Sequence, residues 1–223
     1  MGFFDFIRTN HSAPLVQQCL DDMQVMLEIA EEIFAASTAY ALDNQTLKID
    51  LKARDNEINN REIGIRGRLQ EHFHQEPKQD ITIGLILMSI VQDAERAGDL
   101  GKSIAKMADL AHRNRIGTRV QELRTIRNHI ARMFPQMKQG FIGKDIGVAR
   151  EVMNQNITVK TLTSQFMHHL ANDSEITVNE AVVLAGLARM ISRVSAHLSN
   201  IMSSVVMPSD QIRRAPSWSE EPI

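Results

Sequence analysis

Glu95 and Asp99 stand four residues apart in the stretch ITIGLILMSIVQDAERAGDLGKSIAKMA, residues 81–108. On a helix that spacing puts both carboxylates on one side. Like charges so placed destabilise a helix by roughly 0.2–0.5 kcal/mol. Something must compensate. A bound cation is one candidate, and neutralisation by Arg96, Lys102 or water is the other. Two further acids, Asp55 and Glu62, fall on an earlier helical stripe where apolar residues are expected. A carboxylate facing a helical core needs an arginine, another cation or a metal beside it. Arg61 and Arg66 are near enough in sequence to serve Glu62. Asp55, Glu95 and Asp99 together would offer three oxygen donors to one point. Oxygen-only ligation suits Mg, Ca, Mn or iron better than structural zinc.

The helices that must hold these groups are read from periodicity. The pair lies on a helix running from Ile81 to about Arg113, with Ile83, Leu87, Ile90, Ala94, Ala97, Gly101, Ile104 and Ala108 on one face. The second half of that seam is nearly all small, so a neighbouring helix can come close. A first helix is expected over Pro14 to Ala39, and a second over Thr46 to His74. The stripe of the second is Leu47, Leu51, Ile58, Ile65, Leu69 and Phe73, followed by a loop around Pro77. Further on, helices are expected from Val120 to Gln139, with Pro135 kinking or ending it, and from Asp145 to Leu170. Thr177 with Glu180 reads as a capping box opening a sixth helix that ends near Met207.

The second half repeats the first. Arg96–Ile104, RAGDLGKSI, aligns with Arg193–Ile201, RVSAHLSNI, and Asp50–Asn59 aligns loosely with Asp145–Asn154. The offset is a little under one hundred residues in both. The expectation is an all-α chain of two tandem three-helix bundles related by a pseudo-two-fold axis. Its divisions are an N-terminal segment 1–13, a first repeat 14–116, a second repeat 117–207 and a mobile tail 208–223. The repeats differ at the acids: Glu95 corresponds to Ser192 and Asp99 to Ala196.

Composition agrees with a helical reading. Aromatics are 4% of the 223 residues, proline and glycine are few, and Met, Ala, Ile and Leu are plentiful. The net charge of −2 supplies no field that would gather nucleic acid. Cys19 alone excludes a disulfide framework and a Cys-rich zinc site; it is read as a core thiol in a reducing, cytoplasmic setting. The opening residues, MGFFDFIRTN, lack the basic start and apolar length of a signal peptide, and Phe6 stands where a myristoylation motif wants Ser or Thr. Phe3, Phe4, Phe6 and Ile7 are expected to dock on the bundle or to touch a membrane or partner. The longest apolar run, Ile83–Val91, is far short of the ~20 residues that cross a bilayer.

Asp93–Ala105, DAERAGDLGKSIA, resembles the signature of the PhoU family, accessory regulators of phosphate uptake. The family pattern is Asp, an apolar residue, Glu-Arg-Ile-Gly-Asp, and then Asn-Ile-Ala. Asp93, Glu95, Arg96, Gly98, Asp99, Ile104 and Ala105 are kept; Ser103 replaces the usual Asn, and the second copy has Asn200 before Ile201. Asp55-Asn56-Glu57-Ile58-Asn59 is similar to the upstream family element, with Asn59 in place of its second Asp. The resemblance implies two three-helix bundles whose acidic motifs bind iron or a divalent metal ion. Here the implied ligands are Asp55, Asn59, Glu95 and Asp99. Repeat two carries Arg189 and Arg193 instead of the pair, so one metal site is expected, not two. It also implies a regulator beside the membrane, in contact with a phosphate transporter ATPase subunit or a sodium–phosphate cotransporter and with a sensor histidine kinase. Self-association into a homodimer is compatible with the reading.

Two other functional classes have partial signals in the chain. Glu71-His72-Phe73-His74 contains the Glu-x-x-His unit of di-iron carboxylate bundles, but those need two such units and two more Glu. No second unit occurs, adjacent His168 and His169 diverge, and these histidines are expected to be exposed near helix ends. No catalytic residue is assigned. The basic stretch Arg113–Arg132 lacks aromatics that could stack bases. It is read as a solvated face or a docking surface for an acidic partner, and no nucleic acid is expected.

Overall fold

In a computed structural model of the chain, residues 14–76 and 80–214 are described. The N-terminal phenylalanines, Pro77 and Trp218 lie outside those residues. Among the described residues six α-helices follow one another: α1 (Pro14–Asp43), α2 (Leu51–Gln75), α3 (Ile81–Ala108), α4 (Thr118–Met137), α5 (Ile146–Ala171) and α6 (Val178–Val206). There is no strand among the described residues.

Local chemistry sets most of the ends. Asp50 caps α2 by accepting the Ala53 N–H at 2.9 Å, so that helix starts later than Thr46. Asp145 caps α5 in the same way, accepting from Val148 at 3.1 Å. The two caps occupy aligned positions of the two halves. Thr177 and Glu180 form the capping box of α6. α3 stops at Ala108 rather than Arg113, because the next backbone groups bond elsewhere. Asn179 of α6 donates to the Leu110 carbonyl at 2.9 Å and accepts from the His112 N–H at 3.0 Å. Pro135 does not end α4. The helix passes through it to Met137 and then widens into a π-helical turn, Lys138–Ile142.

α1, α2 and α3 pack into one bundle, and α4, α5 and α6 into another. The bundles meet mainly along α3 and α6, with a smaller contact between α1 and α4. Corresponding helices thus face each other, as a two-fold relation between repeats requires. A single apolar core runs through both; Phe34 of α1 meets Phe134 of α4 with ring centroids 5.5 Å apart. Every residue of the α3 seam read from the sequence is buried, and so is Cys19. α6 is long and apolar enough to cross a membrane by length and composition. Its packing against α3, α4 and α5 accounts for that composition.

The small residues of α3 set its distance from its neighbours. A Cβ on Gly98 would fall 2.5 Å from Ile58 Cδ1, and one on Gly101 would collide with Ile33 Cγ2. Gly98 and Gly101 therefore let α2 and α1 seat directly against α3.

The basic stretch is not a free face. Arg115 donates to the carbonyls of Tyr40 at 2.6 Å and Ala41 at 2.8 Å. Arg124 donates to the Leu42 carbonyl at 2.5 Å and to Asp43 at 2.8 Å, and Arg127 pairs with Asp43 at 2.5 Å. Asn44, in the left-handed region at φ 54°, exchanges two hydrogen bonds with the Arg115 backbone. The last turn of α1 leaves carbonyls without partners and carries partial negative charge. Arginines from the linker and α4 satisfy both, and so tie the repeats together.

Gly101→Ala should lower the melting temperature. Overpacking costs about 1–3 kcal/mol, while the gain in helix propensity is at most about 1 kcal/mol. Adding Ile33→Ala should cost less than the two single losses summed, since both act at one contact. A Gly101→Ala protein that melts with or above the parent would show that α1 does not sit this close.

Candidate functional site

α2 and α3 bring the acids to one shared face. Asp55 lies one turn into α2 and is 5% exposed. The Lys102 ammonium lies 2.6 Å from Asp55 Oδ2 and 3.2 Å from Asp99 Oδ1, joining the two helices. Asn59 donates its amide N–H to Asp55 Oδ2 at 3.2 Å. On the next turn Arg96 faces Glu95 at 3.3 Å and Asp99 at 3.8 Å. Glu62 pairs with Arg66 at 2.9 Å, one of the two arginines its sequence neighbourhood offered. The four residues chosen from sequence, Asp55, Asn59, Glu95 and Asp99, therefore share the α2–α3 face, with Lys102 between Asp55 and Asp99.

The charges respond to this arrangement. Burial works against the Lys102 ammonium, but its hydrogen bonds to Asp55 and Asp99 outweigh that and raise its pKa. For Glu95, burial pushes the carboxyl up, Arg96 pulls it down, and Glu62, Asp99 and Asp55 push it up again. The net result lies above the usual carboxylate value.

These residues do not fit a bound metal ion. A cation ligated by Asp55 and Asp99 would need the place and charge that Lys102 Nζ holds. Asn59 presents a donor to Asp55, not an oxygen to a common centre. Among the described residues no group of three or more His, Cys, Asp and Glu is arranged to hold a metal. At the aligned place in repeat two, Ser192 and Ala196 carry no charge, and Arg189 and Arg193 are exposed.

Sequence reasoning missed the role of Asp93. It is fully buried on the opposite side of α3, facing α6. Its Oδ1 accepts from His197 Nδ1 at 2.8 Å and from Asn200 Nδ2 at 2.9 Å. The Arg213 guanidinium lies 3.2 Å from Oδ2, and the Arg213 N–H donates to Ser203 Oγ at 2.9 Å. Residues 208–214, expected to open the tail, turn back onto α6 here. The available signal was a phase difference: two residues before Glu95, Asp93 must point elsewhere. Its partners lie more than one hundred residues away, and local spacing cannot name them.

His72 corrects an expectation. It is 2% exposed, not at the surface. The buried face of α2 runs Asp55, Ile58, Ile65, Leu69, His72, and Phe73 falls at its edge. Glu71 and His74 are exposed, so the Glu-x-x-His unit does not converge on a core. A pocket of about 270 Å³, built by the inter-repeat linker and the α5–α6 loop, includes Arg113, Ile116, Arg119 and Val183. It shares no residue with the acidic face.

Residues 23–108, which span all of α2 and α3 and most of α1, match the family model described as PhoU domain. Most of the chain is similar in fold to two crystal structures. One is PhoU from Pseudomonas aeruginosa, with a TM-score of 0.78, 19% identity and coverage of 86% of this chain and 95% of that one. The other is the phosphate transport system regulatory protein PhoU from Streptococcus pneumoniae, with a TM-score of 0.75, 13% identity and coverage of 85% and 92%. No curated protein matches the chain.

Asp93→Leu should destabilise the protein by about 3 kcal/mol, because it strands His197, Asn200 and Arg213 at a buried junction. Denaturant unfolding measures this, and a loss below about 0.5 kcal/mol would mean that the junction is wet or unformed. Glu95→Gln tests the raised carboxyl. A pKa raised by folding means the folded state holds the proton more tightly, so stability falls as pH rises through that value. The variant does not titrate there. Its melting temperature relative to the parent should rise between about pH 5 and pH 7, and a flat or falling difference would refute the shift.

Proposed function

We propose that this PhoU-like chain regulates phosphate uptake and phosphate-responsive signalling by binding other proteins, without catalysis of its own. The observation that carries the reading is the PhoU-domain match over residues 23–108, set within a fold that over most of the chain is like that of solved PhoU structures. Its partners, on this reading, are a phosphate transporter ATPase subunit or a sodium–phosphate cotransporter, and a sensor histidine kinase. It works in the cytoplasm, against the inner face of the membrane.

The arrangement of charge suits a binding role. α2 buries little beyond Asp55, Ile58, Ile65, Leu69 and His72. Its remaining surface is a lattice of ion pairs: Arg54 with Glu32 and Glu57, and Arg61 with Asp22 and Glu57. Ile63 stands 68% exposed on that helix, and Leu85 59% exposed on α3. Apolar anchors set among fixed charges are what a protein partner reads. The di-iron enzyme alternative finds no support in the exposed Glu71 and His74. An adaptor of a cotransporter remains the second reading, distinguished by the partner captured.

Tagged protein, recovered from detergent-solubilised membranes of cells grown in ample phosphate, should bring with it a phosphate transporter component or a histidine kinase. Deleting the gene should leave phosphate-starvation genes switched on in ample phosphate. Unchanged expression and phosphate uptake in the deletion strain, with neither partner recovered, would end this reading.

A further inference from the structure

We infer that Lys102 is the built-in cation of the α2–α3 face, and that this protein holds its acidic cluster together without a metal ion. The inference is independent of which partner docks, because it concerns only the charge balance of the folded chain.

Asp55 is buried and its Oδ2 is engaged twice, by Lys102 Nζ at 2.6 Å and by Asn59 Nδ2 at 3.2 Å. The same ammonium reaches Asp99 Oδ1 at 3.2 Å. It therefore spans the two helices at the point where a shared ligated ion would sit. Lys102 is on the same face as Asp99 by its i, i+3 spacing, and its flexible stem lets the ammonium reach across to α2. Four carboxylates (Asp55, Glu62, Glu95, Asp99) face three cationic side chains (Arg66, Arg96, Lys102), so one negative charge is left over. A divalent ion added to that set would overcompensate unless Lys102 moved out. A metal would therefore compete with Lys102 for Asp55 rather than fill an unmet need. The upstream element agrees: with Asn at 59, an amide donor stands where a further carboxylate would have to ligate. On this account the charge of the face is written into the chain, and it does not vary with metal supply.

Titration of the full-length protein with Mn²⁺, followed by calorimetry and by the melting temperature, tests the inference. The chelator-stripped wild type should show no saturable Mn²⁺ binding at millimolar metal, and its melting temperature should be the same in EDTA and in Mn²⁺. Lys102→Met should melt lower in EDTA, bind Mn²⁺ at least about tenfold more tightly than the wild type, and regain melting temperature as Mn²⁺ is added. Asp55→Asn in the Lys102→Met background should abolish that binding. Lys102→Gln, which keeps a donor for Asp55, accompanies it. If neither single variant folds in EDTA, folding on addition of Mn²⁺ is the expected result. Micromolar Mn²⁺ binding by the wild type that Asp99→Asn removes would overturn the inference. So would Lys102 variants that gain no affinity and are not rescued by Mn²⁺.

Discussion

The constraint on which this structure turns is that α3 is packed on both sides and still carries carboxylates on both. Asp93 faces α6, and Glu95 and Asp99 face α2 and its Asp55. A buried charge without a partner is one of the most destabilising features a core can hold. Each acid must therefore be matched within the chain, and the matches also join one helix to another. Lys102 joins α3 to α2. His197 and Asn200 join α3 to α6. Arg213 brings the segment after α6 onto the same junction.

The same logic works at the end of α1. Its last carbonyls and Asp43 are met by Arg115, Arg124 and Arg127, all from the linker and the second repeat. The two bundles thus share more than an apolar seam. They share polar joints at which one repeat supplies the acid or carbonyl and the other supplies the base. Apolar contacts such as Phe34 on Phe134 are tolerant of sliding. Paired charges with hydrogen-bond geometry are not, and they hold the repeats in register.

Duplication followed by divergence explains the asymmetry between halves. Both keep the Asp cap that starts the middle helix, but the small residues of the α3 seam, Ala94, Ala97 and Gly101, become Ile191, Val194 and Leu198 in the second repeat. Only the first keeps the acids. At the matching place the second has neutral Ser192 and Ala196, and a buried Ser195 donates to Asn156 at 2.9 Å. The first repeat carries a charged outer face. The other supplies His197 and Asn200 to the junction behind it.

Much of this was legible in the chain itself. Helix existence, the Thr177–Glu180 box and the α3 seam follow from residue types a few positions apart, whereas the grouping of Asp55 and Asn59 with Glu95 and Asp99 rests on the family resemblance and on the packing of α2 against α3. Period and capping are local, and local rules reach that far. What compensates the acids was decided only by the tertiary structure. Lys102 reaches Asp55 across forty-seven positions of sequence because Gly98 and Gly101 let α2 and α1 close on α3. The buried state of His72 turned on whether α2 presents residue 72 or 73 to the core, a rotation that only packing fixes. Asp93 and Arg115 found their partners seventy to one hundred and twenty residues away, where spacing carries no information and the meeting of whole helices carries all of it.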